Sequence, residues 1–205
     1  MADSSMKRVG IFGGTFDPVH IGHVAMMWAL TEAHQLDHVY IIPASINPHK
    51  ESTAASALHR LEMVKEAFKE VPRCSIVTLE IEKPGPSYTI DTVRELQQRG
   101  VLKSSDAHFL LIGQDTVEQL STWKELHELI AFASPIIAAR AGCPLTGAWQ
   151  HDPQLKVAIE HGLTKTALMD VSSTDIRHRL RSGLFCGHLL QRAVLTYIQK
   201  HQLYL

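Results

Sequence analysis

The stretch GGTFDPVHIGH runs from Gly13 to His23, directly after a short apolar run that ends at Phe12. The apolar run predicts a buried strand. Paired glycines, a proline and two histidines three residues apart are instead typical of a turn that leads into a helix. The stretch therefore marks a strand-to-helix junction, which is either a tight structural turn or a place where the chain holds a ligand.

The composition indicates an ordinary globular protein. The chain has 205 residues, 45% of them apolar, and a formal net charge of -1 at pH 7. This size supports one sizeable core, and this charge would not attract nucleic acid or an anionic membrane. No apolar segment approaches transmembrane length, residues 1–5 lack the apolar core of a signal peptide, and the three cysteines have no CxxC spacing. We expect a cytoplasmic protein without nucleic-acid or membrane partners, disulfides or a thiolate zinc site.

Short apolar runs alternate with helical patterns along the chain. Strands are predicted over residues 8–12, 38–42, 75–82, 107–112, 135–139 and 166–171. Helices are predicted over residues 20–35, 57–70, 87–99, 116–130, 173–182 and 191–201. This alternation predicts an α/β fold with a doubly wound, Rossmann-like parallel sheet and helices on both faces, in which ligands bind beyond the carboxyl ends of the strands. We expect one domain over residues 1–205, with residues 1–6 as a loose tail.

The chemistry of the opening stretch suits an anion. Gly13 and Gly14 allow backbone N–H groups to approach a ligand closely, and Thr15 adds a hydroxyl donor. The helix that begins near Val19 directs its positive end to the same place, which indicates a phosphate site. The stretch matches neither GxxxxGK[ST] nor GxGxxG, the two familiar glycine-rich phosphate loops.

His20 and His23 lie one helical turn apart on one face of this helix. Their rings could donate to phosphate oxygens, bind a metal, or only cap and fill a solvated helix start. A metal is disfavoured because no third Cys, His or carboxylate joins them on that face, and we expect no protein-bound metal. Beside a glycine-rich strand exit, phosphate binding is the favoured interpretation.

A second helix start has similar chemistry. The segment VSSTDIRHRL, at residues 171–180, follows a short apolar run. Ser172 and Asp175 in it form a helix start of the capping-box kind. The groups that its first turn offers to phosphate oxygens belong to Ser173, Thr174 and Arg177. Alone, this segment would be a simple helix cap with solvated arginines. Two phosphate-competent helix starts in one α/β chain favour a nucleotide-binding function.

These motifs resemble the nucleotidyltransferases of the HxGH type, with HIGH at residues 20–23 as the signature. Within that superfamily the chain is similar, over nearly its whole length, to the bacterial nicotinate-nucleotide adenylyltransferases. Further segments in that family's order are NPHK at 47–50, PSYTIDTVREL at 86–96, IGQDTVEQLSTWKEL at 112–126 and VLTYIQKHQLY at 194–204. HxGH alone also occurs in class I aminoacyl-tRNA synthetases, whereas its combination with SYT, GxDxxxxLxxW and SSTxIR is specific.

The resemblance implies a reaction and its substrates. ATP and nicotinate mononucleotide would give nicotinate adenine dinucleotide and pyrophosphate, without a covalent enzyme intermediate, and Mg²⁺ would arrive with the ATP. The implied catalytic residues are Thr15, His20, His23 and Arg177. The residues expected at the ATP phosphates are Gly13, Gly14, Lys50, Arg140, Ser172, Ser173 and Thr174. Asp17 could assist, although an Asp in an FDP turn more commonly bonds nearby backbone N–H groups.

On the side of the mononucleotide, the resemblance implies that Trp123 stacks on the pyridine ring. Thr89 would touch the nicotinate end, and Asp115 would bond a ribose hydroxyl. The alternative for Trp123 is an aromatic that only packs in the core. The chain departs from the family after the second predicted strand: it reads PASINPHK from Pro43, where the family commonly has an Asn and then PPH.

Parts of the sequence are also compatible with other functions. Pantetheine-phosphate adenylyltransferase shares HxGH and an SSTxxR-like segment, but the length of this chain, Trp123 and PSYT disfavour it. A nucleotide-binding regulatory module without turnover predicts damage to the reactive residues, which are all present. A preference for nicotinamide mononucleotide stays open. So does the oligomeric state, for which a homo-oligomer is compatible with the sequence.

Overall fold

The computed structural model describes residues 6–46, 48, 53–83, 85–139, 145–167 and 169–205. Within them the strands are β1 Arg8–Gly14, β2 His38–Pro43, β3 Cys74–Ile76, β4 Ala107–Gly113, β5 Ala133–Ala139 and β6 Leu163–Lys165. The helices are α1 Ile21–Ala33, α2 Ala57–Phe68, α3 Thr89–Gln98, α4 Gln114–Val117, α5 Leu126–Phe132, α6 Pro153–Gly162, α7 Ser173–Arg181 and α8 Arg192–Lys200. Short 3-10 helices lie at Leu120–Thr122 and Ala148–His151.

The six strands form one parallel sheet in the order β3-β2-β1-β4-β5-β6, with helices on both sides. This is the strand order of a doubly wound Rossmann-type sheet. The predicted fold class is therefore confirmed. Both faces of some strands are covered, as in a buried parallel sheet, because the consecutive residues 9–12 of β1 and 135–138 of β5 are all buried.

The chain divides into two compact units. The first unit comprises Met1–Phe12, Met27–Tyr40 and Tyr88–Ala167, and the second comprises Gly13–Met26, Ile41–Ser87 and Leu168–Leu205. The expectation of a single domain over residues 1–205 stays a prediction.

In the first unit, α6 packs tightly on β5. A Cβ atom on Gly162, at the end of α6, would lie 2.0 Å from the carbonyl oxygen of Pro135 in β5, so only glycine fits there. The helix begins at Pro153, and the Asp152 side chain caps it by accepting the N–H of Leu155. No helix is predicted over these residues, although an Asp–Pro pair is a helix start signal.

In the second unit, α2 contacts α8 and β3. Ser56 caps α2 by accepting the N–H of His59. The apolar side chains buried in this part of the core include Leu61, Met63, Val64, Ile176, Val194 and Ile198. These contacts hold α2, α8 and β3 together.

Two predicted strands are placed or sized differently. The strand predicted over residues 75–82 is only Cys74–Ile76, and turns follow it from Leu79. The strand predicted over residues 166–171 lies instead at Leu163–Lys165. There it pairs with residues 137–139 of β5 and ends level with Ala139, the last residue of that strand.

The helix predicted over residues 116–130 is interrupted. It is α4, a 3-10 turn and α5, and Glu125 just before α5 has a left-handed backbone with φ 48. A residue in this conformation cannot continue an α-helix.

Among the helices of the described residues, none is both long and apolar enough to cross a membrane.

Candidate active site

The opening stretch forms a buried turn between β1 and α1. Thr15, Phe16 and Asp17 are buried, and Phe16 has a left-handed backbone with φ 51. The ring of Phe16 folds back over Gly14, where a Cβ atom would lie 2.7 Å from it. Gly14 therefore serves this packing, whereas Gly13 is exposed with open space around its Cα. The predicted close approach of a ligand to backbone N–H groups stays a prediction.

The two histidines of the turn are stacked on each other. Their ring centroids lie 3.7 Å apart with 28° between the planes. The backbone N–H of His20 donates to Nδ1 of His23 over 3.1 Å, so a neutral His23 carries its ring proton on Nε2. The ring of Phe16 packs edge-on against His23 with centroids 5.0 Å apart. His23 is thus held in one tautomer and one orientation.

His20 is buried, with 6% of its surface exposed. Burial disfavours the charged ring and lowers the pKa of His20 to about 4. Its Nδ1 is buried and has no hydrogen-bond partner among the described residues. His20 is therefore neutral at pH 7 and keeps one ring nitrogen available for a further hydrogen bond.

The start of α7 is bonded directly to this turn. Ser172 caps α7 by accepting the N–H of Asp175, as predicted. The hydroxyl of Ser173 donates to the carbonyl oxygen of Pro18 over 2.9 Å. Gly22 also lies close to this segment, because a Cβ atom on it would be 2.6 Å from Cγ1 of Val171. The two predicted helix starts are therefore adjacent.

Arg177 joins the same contact. Its Nη1 donates to the carbonyl oxygen of Asp17 over 2.7 Å, and its Nη2 donates to Oγ1 of Thr174 over 3.1 Å. The structure thus brings together, in the second unit, the predicted residues Gly13, Gly14, Thr15, His20, His23, Ser172, Ser173, Thr174 and Arg177. Their predicted catalytic and phosphate-binding roles stay predictions.

Asp17 connects the turn to two distant parts of the chain. Its carboxylate accepts the N–H groups of Ala54 and Ala55, over 2.7 Å and 3.1 Å, and the hydroxyl of Tyr204 over 2.7 Å. The expectation that Asp17 bonds backbone N–H groups is right in kind. It is wrong in place, because these groups precede α2 and are not local to the FDP turn.

Arg60 is not among the site residues predicted from the sequence. This residue lies in α2 with 0% of its surface exposed, and its guanidinium donates to main-chain carbonyl oxygens. Its partners are the carbonyls of Thr15, Ala44, Ser45 and Ala55. An arginine in an amphipathic helix pattern carries no sign of such partners, which are main-chain groups far away in the sequence.

The residues predicted to bind the mononucleotide lie in the first unit. Thr89 is the first residue of α3, Asp115 is exposed in α4 just beyond β4, and Trp123 follows a 3-10 turn. Trp123 is half-buried, whereas Trp149 is the core tryptophan with 4% of its surface exposed. A purely core-packing role therefore suits Trp149 better than Trp123.

The segment after Trp123 is tied to the start of α3. Lys124 bonds the carboxylate of Asp91 over 2.8 Å, and its Nζ lies 5.1 Å from the ring centroid of Tyr88. These contacts join the residue after Trp123 to the first turn of α3, where Thr89 lies. The three predicted mononucleotide contacts remain untested as ligand contacts.

Comparison with known proteins shows the family of the chain. A family model described as cytidylyltransferase-like matches residues 11–179. A nicotinate-nucleotide adenylyltransferase from Thermus thermophilus is 38% identical over 197 residues, which cover 96% of this chain and 99% of that protein. One from Herpetosiphon aurantiacus is 37% identical over 200 residues, covering 98% of this chain and 100% of that protein. This chain belongs to the nicotinate-nucleotide adenylyltransferase family.

A solved structure of an adenylyltransferase shares the fold of this chain. Nicotinic acid mononucleotide adenylyltransferase from Plasmodium falciparum, solved as a complex with NaAD, superposes with a TM-score of 0.71. The two proteins are 17% identical, and the match covers 97% of each chain. At this identity the likeness shows the fold of the adenylyltransferase family and no individual contact.

The remaining predictions concern the binding of ATP and of a metal ion. Lys50 and Arg140, which the sequence assigns to the ATP phosphates, lie outside the described residues. Within the described ranges, no three His, Cys, Asp or Glu side chains gather in an arrangement that could hold a metal ion. Thr174, which the sequence also assigns to the ATP phosphates, lies exposed in the first turn of α7.

Proposed function

We propose that this chain transfers the adenylyl group of ATP to nicotinate mononucleotide, giving nicotinate adenine dinucleotide and pyrophosphate. The observation that carries the proposal is the stacked pair His20 and His23 beside the start of α7. Family membership supports the same reaction. An oxygen of the mononucleotide phosphate attacks the α-phosphorus of ATP. The bond from that phosphorus to the bridging oxygen breaks, and pyrophosphate leaves.

This reaction needs positioning and charge stabilisation more than proton transfer. The attacking phosphate oxygen already carries negative charge, and charge builds up on the bridging oxygen as the bond breaks. His23 is proposed to donate its Nε2–H to the reacting phosphates. Its hydrogen bond from His20 supports this role, because the bond keeps the proton on Nε2. Thr15 adds a hydroxyl in the same turn.

His20 is proposed to contact the phosphates as a neutral ring. Its lowered pKa means that no proton must be gained or lost when the anion binds near neutral pH. The buried Nδ1 without a partner among the described residues supports a ligand contact, because such an atom is costly to leave unbonded.

The two helix starts are proposed to bind the outer ATP phosphates. The N-termini of α1 and α7 carry partial positive charge, and they adjoin each other through Ser173 and Pro18. Arg177 has donors beyond its bonds to the carbonyl oxygen of Asp17 and the hydroxyl of Thr174, since a guanidinium carries five N–H groups. Lys50 and Arg140 complete the proposed phosphate set, as the family resemblance implies.

The mononucleotide is proposed to bind with its pyridine ring on Trp123, its nicotinate end at Thr89 and its ribose at Asp115. The half-exposed position of Trp123 supports a stacking role.

Mg²⁺ is proposed to arrive on the phosphates of ATP, the usual way in which proteins use this ion with nucleotides. We further propose that the enzyme acts in the cytoplasm. The homo-oligomer stays a prediction.

A panel of acceptors tests this function. Pyrophosphate release with Mg-ATP is measured for nicotinate mononucleotide, nicotinamide mononucleotide and 4'-phosphopantetheine at equal concentrations. The proposal expects faster release with nicotinate mononucleotide than with phosphopantetheine. Equal or faster turnover of phosphopantetheine would overturn the assignment, and no release with any acceptor would favour a nucleotide-binding module.

A further inference from the structure

Arg60 is a buried cation that the proposed reaction leaves without a role. Its side chain has 0% of its surface exposed, and burial lowers its pKa, although a guanidinium still stays charged. A buried charge is retained at a cost unless its donors are satisfied. The hydrogen bonds of this guanidinium go to main-chain carbonyls. These partners show what it holds in place.

The carbonyls that Arg60 binds belong to three separate segments. Nη1 donates to Thr15, just after β1, over 2.7 Å, and to Ala44, just after β2, over 2.6 Å. Nη2 donates to Ser45 over 2.6 Å, and Nε donates to Ala55 ahead of α2 over 3.3 Å. One planar group therefore fixes the exits of two neighbouring strands.

The contact with Thr15 leads directly to the histidines. Phe16 follows Thr15, adopts its left-handed backbone and packs its ring edge-on against His23. A shift of the Thr15 carbonyl therefore moves the ring that borders His23. The hydroxyl of Thr15, one of the predicted phosphate ligands, moves with the same backbone.

We propose that Arg60 is a positioning residue of the adenylyl transfer, which acts through Thr15 and Phe16 to hold His23 in its productive orientation. This proposal rests on the proposed function. A purely structural arginine would stabilise the fold but leave the turnover of the folded enzyme unchanged. A positioning arginine controls turnover even where the protein stays folded, since small misplacements of reacting groups lower rates strongly.

The test compares Arg60→Lys and Arg60→Met with the wild-type enzyme. Lysine keeps the charge, but its single ammonium cannot reproduce a planar fork that reaches three segments. We expect kcat to fall roughly tenfold to a hundredfold in both variants, with little change in the KM for ATP. Ile198→Ala is the matched control, because it destabilises the same unit from the buried face of α8. This control keeps kcat at a temperature well below its Tm.

Wild-type kcat in Arg60→Lys would overturn the proposal, and so would an equal loss of kcat in Ile198→Ala at a matched loss of Tm. Arg60→Lys decides the question should Arg60→Met fail to fold. If the wild-type enzyme does not turn over, the proposed function fails, and ring ¹⁵N NMR shifts of His23 test the positioning separately. The Nε2–H tautomer should be lost or mixed in Arg60→Lys and kept in Ile198→Ala. An unchanged His23 signal in Arg60→Lys would reject the proposal.

Discussion

The hydroxyl of Tyr204 donates a hydrogen bond of 2.7 Å to Oδ1 of Asp17, 187 positions earlier in the sequence. Both residues are buried, and the same carboxylate receives two backbone N–H groups from the segment before α2. The main-chain carbonyl of Asp17 also accepts a bond from Arg177. Asp17 is thus a structural link between the β1–α1 turn, the α2 approach, α7 and the end of the chain.

Tyr204→Phe should lower the stability of the protein. The substitution removes only a hydroxyl and leaves a buried carboxylate oxygen with one donor fewer, which costs about 1–3 kcal/mol. The measurement is the free energy of unfolding by urea at pH 7. Tyr197→Phe is the matched control, since the hydroxyl of Tyr197 bonds His59 at a site more exposed than that of Tyr204. An equal effect of both substitutions would contradict a special role for the bond to Asp17.

His23→Ala should lower kcat by roughly a hundredfold or more while the protein stays folded. This is the scale of losing one oriented donor to developing charge. Steady-state kinetics with both substrates and circular dichroism provide the measurement. His201→Ala, which removes an exposed histidine near the end of α8, should leave kcat unchanged. Near-normal kcat with a raised KM for ATP would show that His23 only helps to bind ATP.

His20 should make the stability of the protein depend on pH below neutrality. Burial lowers its pKa from 6.5 to about 4, so the unfolded chain takes up a proton between these values and the folded chain does not. The stabilisation is complete above pH 6.5 and is lost as the pH falls toward 4. At about 1.4 kcal/mol per pKa unit, the loss between pH 7 and pH 5 is on the order of 2 kcal/mol.

Urea unfolding at pH 7 and pH 5 measures this loss. His20→Gln should show a smaller difference between the two pH values than the wild type. The exposed His161 supplies the control substitution, His161→Gln, which should retain the wild-type difference. A pH dependence that is the same in all three proteins would contradict the burial of a neutral His20.

Trp123→Ala should weaken binding of the mononucleotide alone. Stacking of a base on an aromatic face contributes about 1–3 kcal/mol, so the KM for nicotinate mononucleotide should rise roughly tenfold to a hundredfold. The KM for ATP and the Tm should change little. Trp149→Ala, at the buried tryptophan, should instead cost about 3–5 kcal/mol of stability. A large fall in Tm for Trp123→Ala, with parallel weakening of both substrates, would contradict the stacking role.

The sequence predicts well those features whose causes are local. Glycines at a strand exit and the pair Ser172 and Asp175 act within a few residues, so both helix starts are visible in the sequence. Arg60 and Tyr204 act on partners 45 and 187 positions away, through a main-chain carbonyl and a buried carboxylate. No local pattern encodes such partners.

The misplaced strands have a related cause. β3 and β6 are three residues long, and the end of β6 follows from where its neighbour β5 ends. Apolar content extends beyond these strands, so the hydrophobic pattern predicts longer ones. The interrupted helix before α5 depends on the left-handed Glu125, whose side chain bonds Arg94 of α3 in the folded protein. Such a break is set by tertiary contacts and not by helix propensity.

The fate of the α-phosphate of ATP tests the central claim most directly. The protein is incubated with Mg-ATP labelled at the α-phosphate and with nicotinate mononucleotide, and the products are separated. We expect the label in nicotinate adenine dinucleotide, unlabelled pyrophosphate in equal amount, and no label on the protein after denaturation. Label that stays in ATP, appears in a product without the mononucleotide, or remains covalently bound to the chain would contradict direct adenylyl transfer.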